Sequence, residues 1–477
     1  MVQVPRSRRQ FLVALKSAMS IGLLTACGGS PQNGAASVPV TSAASTPARS
    51  AATRSSGSAV TASQLASSSA AAQAPAAGQT TIRLAHWQSG LSAQLFDKVY
   101  TRFQQLTPAI KITQEVTPFA QFFQRLLTGF AGGTAPDCFH SSGNYVVEFA
   151  QKGTLLDLSS IITSNKVDFS GIWVEDSEMK YQGKWYAVPT WNTDDILYYN
   201  KTAFQNAGVA EPTDDWTWND MLAAAQKLTT RGSDGTVSLW GVQIPNSVQG
   251  GWASMIYANG GDYMNAEQTK TTLDQPGALG ALQFIYELMQ IHRVMPTAVD
   301  TAELAKAGVT DPLTAGRFAM YTAITSNVPN YTASAKFDWD IALIPKSPTT
   351  GKNGSAYIVQ PSSITGTTKN ADKCFQLLQF TMNAEAQQIL ATDKVKFPVN
   401  IAAASDAHGG YSTPPPAHIG RAVETMSFAK PFHFFATGAD FQTKLQNELN
   451  KAYLGQTTMD QAAKQAVTAG DGVLAQG

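Results

Sequence analysis

The chain has 477 residues, enough for two or three ordinary domains with a substantial core. Its 34 Lys and Arg balance 34 Asp and Glu, so no broad field draws it to nucleic acid, and no local basic stripe replaces one. Three cysteines are too few for a disulfide framework, and the longest apolar run is too short and interrupted to span a membrane.

That run lies at the front. Ser7-Arg8-Arg9-Gln10-Phe11-Leu12 precedes an apolar stretch to Ala26 interrupted by Lys16, which reads as an export signal over residues 1–26. Paired arginines before Phe-Leu resemble a twin-arginine address; an ordinary secretory signal with arginines in its basic region is the alternative. Leu24-Thr25-Ala26-Cys27 resembles a bacterial lipobox. On that resemblance Cys27 is acylated and becomes the first residue, and buried methylenes at about 0.8 kcal/mol each hold the protein at a bilayer. Residues 27–79 are mostly Ala, Ser, Thr, Pro and Gly, with only Arg49 and Arg54 charged, so they predict a flexible tether.

Beyond the tether the pattern becomes βαβ. Thr81 to Ala85 predicts a strand, Ser92 to Leu106 a helix, Ile110 to Val116 a second strand, and the run from Phe119 to Phe130 a helix stopped by Gly132-Gly133. Pro136 to His140 predicts a third strand, followed by the polar loop Ser141 to Asn144 and a helix face over Val146 to Ala150. In open α/β sheets, ligands sit at the carboxyl ends of such strands. Trp185 to Thr190 and Asp195 to Lys201 predict two strands joined by a connection over Trp191 to Asp194. Thr217 is a plausible N-cap for a helix over Asn219 to Leu228.

Several pieces in chain order carry a family resemblance: Gly132-Gly133-Thr134-Ala135-Pro136-Asp137, Val188-Pro189 through Tyr198-Tyr199-Asn200-Lys201, Trp216-Thr217-Trp218, Trp240-Gly241 and Asn259-Gly260-Gly261. Gly316-Arg317-Phe318-Ala319-Met320, Phe397-Pro398-Val399-Asn400 and Gly455-Gln456-Thr457-Thr458 continue the series. Over about residues 80–470 the chain resembles the bacterial extracellular solute-binding proteins of ABC importers, in the carbohydrate group that includes maltose-binding protein. The resemblance implies a two-lobed α/β fold of the periplasmic-binding-protein type II, with ligand between the lobes. It implies crossings near Val188 to Asp194, Ile341 to Tyr357 and Thr381 to Ala384, hence one lobe of 80–190 with 345–382 and another of 191–344 with 383–477.

A sugar offers hydroxyls around an apolar ring face, so its site needs aromatic platforms and fixed polar groups. Of nine tryptophans, Trp87, Trp191 and Trp252 lie in expected loops, where ligand contact and structural packing are equal readings. By resemblance, Gln88 and Ser89 follow the first strand, Ser141 and Asn144 follow the third, and Asp194 stands at the hinge. Asp194 would accept sugar hydroxyls or simply form a turn. Thr325 and Ser326 follow the Gly316 to Met320 match, where family members often place an aromatic platform that this chain lacks; Tyr321 is nearby. That departure speaks against a long stacked oligosaccharide. Ser355 is a weaker candidate.

Six scattered histidines show no metal-site spacing, and His433 reads as structural. Cys138 and Cys374 are expected to be buried thiols, with a disulfide open if the fold joins them. No cofactor is expected, since another subunit of such an importer hydrolyses ATP. The expected partners are a small carbohydrate, permease subunits and, through the anchor only, the extracytoplasmic face of the membrane; the chain is expected to be a monomer with no nucleic-acid partner. A glycerol-phosphate-type or other small polar solute is the alternative ligand. A secreted glycoside hydrolase would need a second carboxylate to pair with Asp194 or Asp195, and nothing selects one. A tethered surface adhesin is a third reading, and no nucleophile elbow, phosphate loop or zinc-protease helix is present to support other enzymes.

Overall fold

The computed structural model describes residues 78–476 apart from 174, 175, 310–313, 393, 395, 407–409, 413 and 436. The export signal, Cys27 and the tether up to residue 77 lie outside the described residues.

Alternating apolar residues and helical stripes appear where the pattern places them. β1 (Thr80–His86) buries Ile82 and Leu84, and α1 (Gly90–Leu106) buries Leu95, Phe96, Val99, Tyr100 and Phe103, a stripe at three- and four-residue spacing. β2 (Ile110–Val116) leads to α2 (Phe119–Gly132), which buries Phe122, Phe123 and Leu126 and ends on Gly133 at a left-handed φ of 66°. β3 (Cys138–His140) and α3 (Gly143–Gln151) complete the winding. β1 pairs in parallel with both β2 and β3, so His86, Val116 and His140 end at one carboxyl edge.

The expected pair of strands around Trp191 to Asp194 is one continuous strand, β4 (Ala187–Asn200), buried along its whole length. Its two halves have different partners. Residues 187–194 pair antiparallel with β7 (Ala356–Ile364), while 195–200 pair with β5 (Met320–Ile324) and β6 (Trp339–Ala342). The main sheet therefore runs β6-β4-β7-β3-β1-β2, with β5 also on β4 and β8 (Lys430–Pro431) on β7. β4 passes from the partners of one half-sheet to those of the other at Asp194-Asp195, and β6 and β7 both return to pair with it.

Each half-sheet has its own helices. α1 packs with α7 (Ala371–Thr381) and α8 (Ala384–Ala391) on the β1-β2-β3 half, around Leu84, Phe96, Phe103, Phe375 and Leu378. On the other half, α4 (Trp218–Leu228), α5 (Ala253–Ala258), α6 (Pro276–Gln290), α9 (Gly438–Tyr453) and α10 (Met459–Leu474) enclose Leu197, Tyr199, Ile256, Ile285 and Leu449. Thr217 caps α4 in a reciprocal pair with Asp220, as its position before the helix predicts. A third cluster, with Ala85, Phe139, Val359, Ile196 and Ile341, runs along the opposite face of the joined sheet.

Beyond Ala384 the chain stays for a while beside the first half. α8 stays against α1, and Phe397 and Asn400 bridge to Asn192 and Ile172. His418 is beside the second half, its imidazole meeting Asp340 of β6 at 2.8 Å.

Candidate functional site

The site is built where β1, β3 and β4 converge. His86 and His140 end their strands inside the protein, and Trp87 leaves β1 partly buried, edge-on to Phe119, Phe122 and Trp191 at ring separations of 5.3, 5.1 and 6.1 Å. Gln88 is buried: Ser92 Oγ donates to its Oε1 at 2.5 Å, and its Nε2 lies 3.3 Å from His140 Nδ1. Tyr100 Oη holds the other ring nitrogen of His140 at 2.9 Å. Burial above all, then the nearby His86 and Lys396, push the His140 imidazole well below its ordinary range, so it is neutral and serves as a hydrogen-bonding brace. Ser89 is exposed at the N-cap of α1, with no side-chain bond to the helix.

Trp191 is 3% exposed. It sits between Phe96 at 5.4 Å and His140 at 5.1 Å, with Lys396 Nζ 4.4 Å over its ring. The next four residues bring polar groups into the interior. Thr325 Oγ1 donates to Asp194 Oδ1 at 2.8 Å, and Ser326 Oγ donates to Thr193 Oγ1 at 2.8 Å. Asp195 is more fully engaged: its two oxygens accept from Gly250 N at 2.8 Å and Ser254 Oγ at 2.6 Å. Ser355 Oγ accepts from Asp195 N at 3.1 Å and donates to Asp195 O at 2.8 Å.

Burial dominates the electrostatics of both carboxyls. It pushes Asp194 well above the carboxylate range, assisted by the charge of Asp195 and opposed by the Thr325 bond. It pushes Asp195 up to about 7 against the lowering effect of Ser254 and Gly250. The two Asp194 oxygens are not equally served: Oδ2 has no hydrogen-bond partner, and neither does either side-chain polar atom of Asn192, two residues earlier on the same face of β4. Both residues are 0% exposed. Unpaired polar atoms so placed cost about 1–3 kcal/mol each, so they mark a position that something polar would relieve.

The fold thus gathers Trp87, Gln88 and Trp191 at the carboxyl edge and Asp194, Thr325 and Ser326 at the strand crossing beside it. Ser141 is buried at the end of β3, its N–H donating to Pro361 O at 2.8 Å. Asn144 lies at a separate contact between the half-sheets, where its Oδ1 accepts from Phe435 N at 3.3 Å. The fit there is close: a Cβ on Gly143 would lie 2.3 Å from the Phe434 ring, and one on Gly438 would lie 2.3 Å from Asn144. Ser355 is a brace between β4 and β7. Trp252 is a core residue, 0% exposed, with its indole N–H donating to Asn246 Oδ1 at 3.2 Å and its ring edge-on to Tyr263.

Asn192 and Thr193 enter the site unforeseen, because an expected connection hid them. A signal existed: no Gly or Pro interrupts Thr190 to Asn200, so nothing there breaks a strand. Cys138 and Cys374 are free, buried thiols, close enough that their hydrogen bond, with burial, raises the Cys138 thiol well above its ordinary value. Among the described residues no cluster of His, Cys, Asp and Glu has metal-binding geometry, and no helix is long and apolar enough to cross a membrane.

Known proteins with this architecture are numerous. The structure aligns with that of an ABC substrate-binding protein from Listeria monocytogenes solved with cycloalternan, at a TM-score of 0.71 and 23% identity, covering 83% of this chain and 99% of that one. The cyclic alpha-maltosyl-1,6-maltose binding protein of Arthrobacter globiformis gives a TM-score of 0.72 at 20% identity over 84% and 100% of the two chains. These likenesses establish the two-lobed α/β fold. In sequence, a putative binding protein of Brucella abortus is 24% identical over 332 residues, 68% of this chain and 77% of that protein. An arabinooligosaccharide-binding protein of Halalkalibacterium halodurans is 25% identical over 214 residues, 43% and 45% of the two chains. The family model for bacterial extracellular solute-binding proteins matches residues 87–388, from the tryptophan after β1 through the strand crossing and into α8. A chain whose fold forks at one buried strand crossing, and whose sequence fits that model across most of its folded length, belongs to the bacterial extracellular solute-binding protein family.

Proposed function

We propose that this protein is the extracytoplasmic receptor of an ABC importer, capturing a neutral sugar or short oligosaccharide between its lobes and presenting it unchanged to the permease. The observation that carries the reading is the unmatched polar set at the crossing, Asn192 and Asp194 Oδ2, on one face of β4. A protonated carboxyl and an amide offer both donors and acceptors to hydroxyls. The sugar ligands of the Listeria, Arthrobacter and Halalkalibacterium proteins support the same ligand class.

In this reading the lobes are 80–190 with the segment from 345 to about Asn400, and 191–344 with the remainder, which moves the last boundary later than 382. Ligand shifts the open and closed populations only through tighter binding to the closed form, in which Asn144 and Phe435 meet. Acylation at Cys27 and the tether would place a monomeric receptor on the outer face of the membrane. Asp194 and Asp195 are consecutive on a strand, so their side chains point to opposite faces and do not themselves form a hydrolase pair; pairing of either with a distant Glu is what recovery of the sugar tests.

The test is a thermal-shift and calorimetric screen of the full chain against mono- and oligosaccharides and glycerol 3-phosphate, with the sugars recovered afterwards. A neutral sugar should bind saturably and return intact. Tighter binding of glycerol 3-phosphate than of any sugar, or cleavage of the sugar, would overturn the proposal.

A further inference from the structure

A cavity of about 340 Å³ lies between α2 and the strands β1 and β2, and none of the residues gathered at the strand crossing lines it. Its volume is within the range of small-molecule sites. One wall is apolar, from Ala85, Phe122 and Leu126; the other carries Arg83, Glu115 and Arg125.

The two arginines differ. Arg83 is held in place, its Nε donating to Glu115 at 2.6 Å and its other nitrogens to the carbonyls of Ala135 and Thr134 at 3.0 Å. Arg125 donates only to Thr117 Oγ1, at 3.1 Å, and pairs with no carboxylate among the described residues. A guanidinium has five N–H donors in a planar fork that matches a carboxylate. Glu115 matches Arg83, so Arg125 is the guanidinium at the recess that has no carboxylate partner among the described residues.

We propose that this cavity is a second ligand site, for a small organic anion whose carboxylate meets Arg125 and whose apolar body enters against Phe122 and Leu126. The assignment is independent of the sugar reading. An inorganic anion would satisfy Arg125 but leave the recess empty, and a neutral aromatic would fill the recess but leave Arg125 to water.

The full chain is titrated by calorimetry with benzoate, inorganic phosphate and benzyl alcohol, as wild type and as Arg125→Gln, an exposed helix position that tolerates the change. Benzoate should bind saturably, about tenfold or more tighter than either other probe, and about tenfold weaker to Arg125→Gln. Sugar titrations and melting temperature should be the same in both proteins. Failure of benzoate to saturate, equal binding to Arg125→Gln, or phosphate binding as tightly as benzoate would overturn the proposal.

Discussion

Asp194 and Asp195 are neighbours on β4 and equally hidden from solvent, yet their surroundings assign them different work. Both oxygens of Asp195 are matched, and its backbone is clasped by Ser355, so it joins β4 to β7 and to the segment entering α5. Asp194 has one oxygen matched by Thr325 and one left over. A saturated buried carboxyl supports the fold; an unsaturated one at the same depth is the better candidate for ligand. Trp252 and Trp87 repeat the contrast among aromatics, one enclosed in a core and one at an edge.

That division can be broken by measurement. The largest effect should come from Trp252→Ala, which empties a packed core site and should lower unfolding free energy by about 3–5 kcal/mol in urea titrations; a loss below about 1 kcal/mol would return Trp252 to the candidates for ligand contact. Asp195→Ala, compared with wild type at a pH of about 5, strands the Gly250 N–H and the Ser254 hydroxyl and should cost about 2–4 kcal/mol.

Asn192→Ala and Asp194→Asn should reverse the pattern. Neither removes a saturated group, so stability should change by less than about 1 kcal/mol while affinity for the sugar found in the screen falls about tenfold or more. If both variants bind like wild type, the unmatched atoms do not face ligand.

A smaller and graded effect is expected from pH. The Asp195 carboxyl titrates at about 7 in the folded protein and near 3.9 when unfolded, so between those values the folded chain holds the extra proton. Its stabilising contribution is complete below about pH 4 and is lost as pH rises through about 7, bounded by about 4 kcal/mol. Asp194 shifts in the same direction. Denaturation curves should show stability falling across that window, with a shallower fall in Asp195→Asn; an unaltered slope in that variant would assign the pH dependence elsewhere.

Much of the architecture is legible in the chain itself. The apolar stripe of α1, the left-handed stop at Gly133 and the Thr217 cap are local features, and short-range sterics and hydrogen bonding produce them wherever those residues occur. The family pieces likewise lie in order along the sequence. The site was only half legible, because which polar group is already matched depends on residues more than a hundred positions away: Thr325 for Asp194, Ser355 for Asp195.

Sequence alone determined the alternation of strands and helices and the carboxyl-edge loops, since each follows from periodicity and turn chemistry within a few residues; the approximate place of the strand crossing came from the family resemblance and not from local pattern. Only the tertiary structure decided that β4 runs unbroken, that Trp252 belongs to a core, and that Asn192 and Asp194 keep unmatched polar atoms. Those outcomes depend on which distant surfaces meet, and burial and hydrogen-bond saturation are properties of the meeting rather than of the residue.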